Sequence, residues 1–176
     1  MSARFVYWMN VSLDLYIGAT ADENGGGDWM RIDEPLHREF NRRAREFSLD
    51  ISGRKVYEIM ETYWPDARDN ESESEVMREY GEIWVTTPKI LVSRTRTSAA
   101  YDTRIIGGDD AIAQLAVVRA QSEGRIGVGG ATLAIALAIG ATVLAVSAGN
   151  IGISSPAITA IFAQVTGAMR DTAIVL

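Results

Sequence analysis

The sequence predicts an α/β domain in which a mainly parallel sheet lies between helical layers. Two observations predict it. Short apolar, β-branched runs alternate along the chain with segments of helical periodicity, and such alternation builds parallel sheets. The second observation is the placement of charge. The formal net charge is −6, yet no side chain from Ile126 to Met169 is charged, and Arg170 and Asp171 cancel. The whole net charge therefore lies up to Arg125. Parallel strands buried on both faces read as uncharged apolar runs. At 176 residues, 47% of them hydrophobic, the chain suits a single domain over residues 1–176 with a real core.

Each element follows in order. Arg4–Val11 (RFVYWMNV) is aromatic and β-branched and reads as a buried first strand. GATADENGGGD, from Gly18 to Asp28, is a glycine-rich loop. Leu36, Phe40, Ala44 and Phe47 recur at helical spacing and predict a helix over Glu34–Phe47. Ser48–Ser52 is a short strand that stops at Gly53. Lys55–Tyr63 is a helix that Trp64-Pro65 ends, because the residue before proline is pushed out of the helical region. Residues 66–75 (DARDNESESE) read as a polar surface loop, and Ser72 with Glu75 forms a capping box for a helix running through Trp84. Pro88–Arg94 is a strand and Asp102–Ile106 another. Asp109 or Asp110 caps a helix containing Ile112, Leu115 and Val118. Arg125–Val128 is a strand, Gly129-Gly130 a turn and Ala131–Ile139 a helix. Thr142–Val146 and Ala173–Leu176 are further strand candidates.

Composition excludes several classes. An acidic chain without a dense Lys/Arg patch is a poor nucleic-acid binder, because neutralising phosphate supplies most of that affinity. Zero Cys excludes a disulfide framework, a zinc ribbon and a thiol nucleophile, and fits a reducing cytoplasm. The only His is His37. It lies in the charged stretch HREFNRR and reads as a solvated surface residue, so no metal site is expected. Residues 1–17 lack the long apolar run and small-residue cleavage site of a secretory signal. Residues 126–148 are long enough to span a bilayer, which keeps a membrane-anchored reading open.

Three segments place glycines or basic residues at strand ends. Gly53, Arg54 and Lys55 join a tight turn to a helix start, where unpaired N–H groups and positive charge suit a phosphate. Ser93, Arg94, Thr95 and Arg96 interleave hydroxyls with guanidiniums, which also suits phosphate. Gly129-Gly130-Ala131-Thr132-Leu133 offers a diglycine before a helix, lacking the Rossmann spacing. Each segment has a plainer reading: an ordinary turn, a polar loop, a close helix–strand crossing. Together, at the C-terminal ends of one parallel sheet, they converge on a single crevice, and a dinucleotide explains all three. Asp14, at the end of the first strand, suits a proton donor or substrate anchor. Asp33 and Glu34 compete for that role; the plainer readings are loop solvation for Asp14 and helix N-terminal placement for Asp33 and Glu34.

The segments MNVSLDLYIGA, GRKVYEIMETYWP, TPKILVSRT and VGGATLAIAL, in this order over roughly Arg4 to Leu137, resemble the dihydrofolate reductase superfamily. The branch they look most like holds the reductase domain of the riboflavin-biosynthesis deaminase–reductase. The resemblance implies a three-layer α/β/α dihydrofolate-reductase-like fold with NADPH across the strand ends. It implies that Gly53, Arg54 and Lys55 face the cofactor phosphates, and that Ser93, Arg94 and Thr95 hold the adenosine-side phosphate. Gly129, Gly130, Ala131, Thr132 and Leu133 would wrap the pyrophosphate, with Ile17 and Gly18 near the nicotinamide. Asn10, Asp14, Trp29, Tyr57 and Trp64 would line the substrate side, with Asp14 catalytic. The implied reaction is hydride transfer to a C=N bond of a pterin-like or ribosylaminopyrimidine substrate. The branch often builds a dimer from its two closing strands, so a homodimer is expected.

The chain departs from that pattern in two places. Leu15 follows Asp14 where the family usually has Gly, and IGATVLAVSAGNIGISSPAITAIF stands where an acidic pair, an apolar strand, Pro and a glycine-rich turn are usual. These departures motivate a second reading, a non-catalytic nucleotide- or pterin-binding member of the same superfamily.

Overall fold

The structure is a computed structural model that describes residues 3–7, 32–130 and 133–137. The chain divides into two units, Met1–Trp8 with Ile32–Ala134, and Met9–Arg31 with Ile135–Leu176. The architecture below is that of the first. Of the second, only the helical residues 135–137 are described.

The first unit is α/β. Its elements run β1 (Arg4–Tyr7), α1 (Glu34–Ala44), β2 (Phe47–Gly53), α2 (Arg54–Asp69), α3 (Glu75–Thr86), β3 (Lys89–Val92), β4 (Thr103–Ile106), α4 (Ala111–Gln121) and β5 (Arg125–Gly129). Among the described residues the five strands form one sheet in the order β1-β5-β2-β3-β4. Every pairing is parallel. The mainly parallel sheet predicted from the alternation is therefore present. Ile51, Leu91 and Ile126 in its middle are fully buried, as strands covered on both faces require.

Side chains leave the sheet alternately to its two faces. Leu91 packs with Tyr57 of α2 and Trp84 of α3, and Ile105 adds to that cluster. Neighbouring Ile90 instead lines a cavity of about 310 Å³ with Leu49 and with Val118 and Gln121 of α4.

Several boundaries differ from the sequence expectation. The first helix ends at Ala44, and Phe47 opens β2 instead of closing the helix. Phe47 fits the apolar spacing of both elements, and pairing to β5 takes it. The second helix does not stop at Trp64-Pro65 but runs on to Asp69 with Pro65 buried inside it. Packing against α3 outweighs the proline. Trp64 meets Tyr80 at 4.3 Å between ring centres, and Ala67, further along the helix, is buried. Residues 66–69 are thus helix, not loop. The capping box at Ser72 is absent. Ser72 donates its backbone N–H to Asn70 Oδ1 at 3.0 Å, and Ser74 becomes the N-cap without a side-chain bond. Asp110 is the N-cap of α4, also without a side-chain bond.

His37 is half-buried, not solvated. Its Nδ1 lies 3.0 Å from Asn41 Oδ1, and its ring is edge-on to Trp64 and Tyr80. Buried Asn41 in turn donates to Val76 O (2.9 Å) and Glu79 Oε2 (2.6 Å), which pins α1 to α3. The strand candidates Thr142–Val146 and Ala173–Leu176 lie outside the described residues. So does most of the 126–148 stretch, but its first residues are β5, paired on both sides. No helix among the described residues is long and apolar enough to cross a membrane.

Two predictions follow from packing. A Cβ on Gly81 would stand 2.6 Å from Trp64 O and 2.8 Å from Arg68 Cβ, so Gly81 sets how closely α3 crosses α2. Gly81→Ala should lower unfolding free energy by about 1–3 kcal/mol in urea titration, despite alanine's better helix propensity. Lys89 is buried with its Nζ donating to Thr87 O at 2.6 Å, at the carbonyl end of α3, and lying 4.5 Å from the Trp84 ring centre. Burial pushes its pKa down to about 8, against the opposing pull of Asp50 and Asp102. Between that value and the free-lysine value the unfolded chain holds more protons, so stability rises with pH over this window and the gain is lost as pH falls towards 8. Relative to Lys89→Met, wild type should gain about 2 kcal/mol from pH 8 to pH 10. An unchanged difference would contradict the buried ammonium.

Candidate functional site

The parallel order places the C-terminal ends of β5, β2, β3 and β4 along one sheet edge. The register fixes which residues meet there. Ser52 is opposite Gly129, Gly53 is opposite Val92, and Val92 is opposite Ile106. Ser93 extends the ladder by donating its N–H to Ile106 O at 3.0 Å. The three segments singled out in the sequence are therefore brought to one edge. A fourth, Gly107-Gly108-Asp109-Asp110, joins them from β4.

Gly53 is the N-cap of α2, in extended conformation at φ −71° and ψ 160°. A Cβ there would have no heavy atom of the described residues within 4 Å, so none of them fills the space over the helix start. The cap has no side-chain bond, and the first turn of α2 has no acidic residue. The leading N–H groups thus present the positive end of a 16-residue helix to this edge. In α1, by contrast, Asp33 Oδ1 accepts the Leu36 N–H at 3.0 Å and Glu34 ion-pairs with Arg38. Capping accounts for Asp33 and an exposed helical ion pair for Glu34.

The other glycines answer to different constraints. A Cβ on Gly129 would stand 2.8 Å from Ser52 Oγ and 3.2 Å from Val56 Cγ1. Gly130 has φ +103°, a backbone shape that L side chains rarely adopt. Close packing and turn geometry therefore explain the diglycine without reference to a ligand. A Cβ on Gly107 would overlap the Ser93 carbonyl oxygen.

Ser93 is buried, and its Oγ accepts the N–H groups of Thr95 (3.2 Å) and Arg96 (3.1 Å). This local turn folds the chain back directly after β3. Four cations lie in the two basic segments. Arg54 Nη1 pairs with Glu58 Oε2 at 2.8 Å. Arg96 pairs with Glu61 at 3.1 Å and with Glu58 at 3.5 Å. Lys55 and Arg94 have neither a hydrogen bond nor an ion pair among the described residues and are exposed.

Tyr57 and Trp64 are not brought to the open edge. Tyr57 is buried against Trp84, and its hydroxyl lies 3.0 Å from Ala100 O and 3.2 Å from Thr103 Oγ1. Trp64 donates its Nε1–H to Met60 Sδ at 3.0 Å within the α2–α3 contact. Leu133 is buried. Asn10, Asp14, Ile17, Gly18, Trp29, Ala131 and Thr132 lie outside the described residues. β1 ends at the same edge, with Tyr7 opposite Val128. Comparison with known families and with curated proteins finds no match to this chain.

Sequence reading missed the β4 segment. Its signal was Gly107-Gly108 after a short apolar strand, the same pattern noted at β2 and β5. Asp109 and Asp110 diverted that segment to a capping role. Gly107→Ala should destabilise the fold by about 1–3 kcal/mol, because the neighbour it meets is backbone. It should also broaden or shift the Ser93–Arg96 amide resonances, and unchanged resonances would contradict the tight β3–β4 crossing.

Proposed function

We propose that this chain is an NADPH-dependent reductase of the dihydrofolate reductase superfamily. Its reaction would be hydride transfer to a C=N bond of a pterin-like or ribosylaminopyrimidine substrate. The observation that carries the reading is the meeting at one sheet edge, beside the diglycine turn after β5, of two phosphate-suited segments, Gly53–Lys55 and Ser93–Thr95, that lie far apart in sequence. The chemistry of the edge fits a phosphorylated dinucleotide. Among the described residues, nothing fills the space over the uncapped helix start at Gly53, and two cations, Lys55 and Arg94, have no partner. When bound, the nicotinamide supplies the hydride, and the chain's task is to hold and orient two rings.

In this reading the fold is the three-layer one, with α1 to α3 on one side of the sheet and α4 on the other. The opposite directions of Leu91 and Ile90 support it. Arg94 meets the 2′-phosphate, for which a guanidinium fork is suited. The α2 N-terminus meets the pyrophosphate or a neighbouring phosphate. Asp14 supplies or relays the proton, and the chain acts as a homodimer in the cytoplasm.

Titration of the full chain with NADPH and NADH, followed by nicotinamide fluorescence, tests this. Wild type should bind NADPH more tightly, and Arg94→Ala should weaken NADPH by about tenfold while leaving NADH nearly unchanged, the loss expected for one charged hydrogen bond. Gly53→Asp should raise thermal stability, because Asp is a better N-cap than Gly, while weakening both cofactors by charge repulsion. No binding of either cofactor would sink the reductase and the non-catalytic binder together. Binding without loss of nicotinamide absorbance across a panel of pterins and ribosylaminopyrimidines would favour the binder.

A further inference from the structure

The four cations of the two basic segments are not equivalent. Glu58, on α2 one turn after Arg54, takes Arg54 on one oxygen (Oε2, 2.8 Å) and Arg96 on the other (Oε1, 3.5 Å). Arg96 is further held by Glu61, with Nη2 at 3.1 Å and 3.4 Å from its two oxygens. Its Nε–H donates to Ser98 O at 3.2 Å, and its guanidinium carbon lies 5.7 Å from the Tyr57 ring centre. The Arg96 side chain is only 27% exposed and that of Glu61 24%. A few residues on, the Tyr57 hydroxyl donates to Ala100 O at 3.0 Å. The segment after β3 is thus fastened to α2 at two points, and α2 is the helix whose N-terminus forms the open edge.

We propose that Arg96 is a positioning residue. With Glu58 and Glu61 it clamps the Ser93–Arg96 turn to α2, so that Arg94 and Lys55 are the cations left to meet a phosphate group. A phosphate reaching Arg96 would also have to approach two carboxylates, which repel it. The clamp fixes the direction in which Arg94 leaves the turn, because the Arg96 backbone N–H is bonded to Ser93 Oγ at 3.1 Å while its side chain is bonded to α2. The effect on ligand binding rests on the nucleotide-binding reading above, while the clamp itself does not.

The two roles predict opposite signs for one substitution. If Arg96 positions the turn, Glu61→Gln releases it just as Arg96→Gln does. Each should weaken NADPH binding by about five- to tenfold, and the double variant should be no weaker than Arg96→Gln alone. If Arg96 itself binds phosphate, Glu61→Gln should leave affinity unchanged or raise it, and that result overturns the proposal. Arg96→Lys should restore little, because the clamp needs a planar fork between two carboxylates. Amide hydrogen exchange on the full chain without ligand gives the independent arm. Thr95 and Arg96 N–H groups should exchange about tenfold faster in both Arg96→Gln and Glu61→Gln, with the β2 and β3 amides unchanged. Unchanged exchange at Thr95 and Arg96 overturns the clamp. Loss of the exchange protection with no NADPH binding in wild type would leave the clamp standing and sink the nucleotide reading.

Discussion

Parallel pairing points the C-terminal ends of its strands to one side of the sheet. Register and strand length then decide how close those ends fall, and here β5, β2, β3 and β4 finish within one residue of each other. Everything at the open edge depends on that ladder. Its register sets Gly53 beside Val92 and Ser52 beside Gly129, and so brings together segments separated by tens of residues. A slip of one residue would exchange the faces of the sheet, turning Leu91 away from Tyr57 and Trp84. The fully buried Ile51, Leu91 and Ile126 resist such a slip, because each would lose its apolar surroundings.

The edge then gains its character from what does not fill it. At Gly129 the missing side chain makes room for protein, at Gly130 it permits a positive φ, and at Gly107 it makes room for the neighbouring backbone. At Gly53 it leaves room for nothing that the described residues supply. The same contrast runs through the cations. Arg54 and Arg96 are committed to Glu58 and Glu61, while Lys55 and Arg94 are not committed to any described residue. The exposed Arg54–Glu58 pair lies within α2 and contributes little stability singly. The half-buried Arg96–Glu61 pair instead joins the segment after β3 to α2.

Much of this was legible in the sequence because the signals were local. Strand-length apolar runs, helical spacing in α1 and glycines after strands each reflect a requirement of a few neighbouring residues. Pro65 was misleading for the opposite reason. Its local preference is real, but the Trp64–Tyr80 contact and the close crossing at Gly81 act from α3 and keep the helix going. His37 looked solvated because its sequence neighbours are charged, whereas its surroundings are set by Trp64 and Tyr80. The family resemblance puts Tyr57 on the substrate side, whereas the packing of α2 on Trp84 and Leu91 directs its side chain inward. The partners of Arg96 could not be read at all, because Glu58 and Glu61 lie on an element more than thirty residues earlier.

The central claim is that one sheet edge binds the phosphates of a dinucleotide. Amide chemical-shift mapping of the isotope-labelled full chain on adding NADPH tests it most directly. The account predicts saturable shifts at Gly53, Arg54, Lys55, Ser93, Arg94 and Thr95, with the opposite edge around Pro88, Lys89 and Asp102 unmoved. Shifts confined to that opposite edge, or absent from Gly53 to Lys55 and Ser93 to Thr95 at saturation, would contradict it.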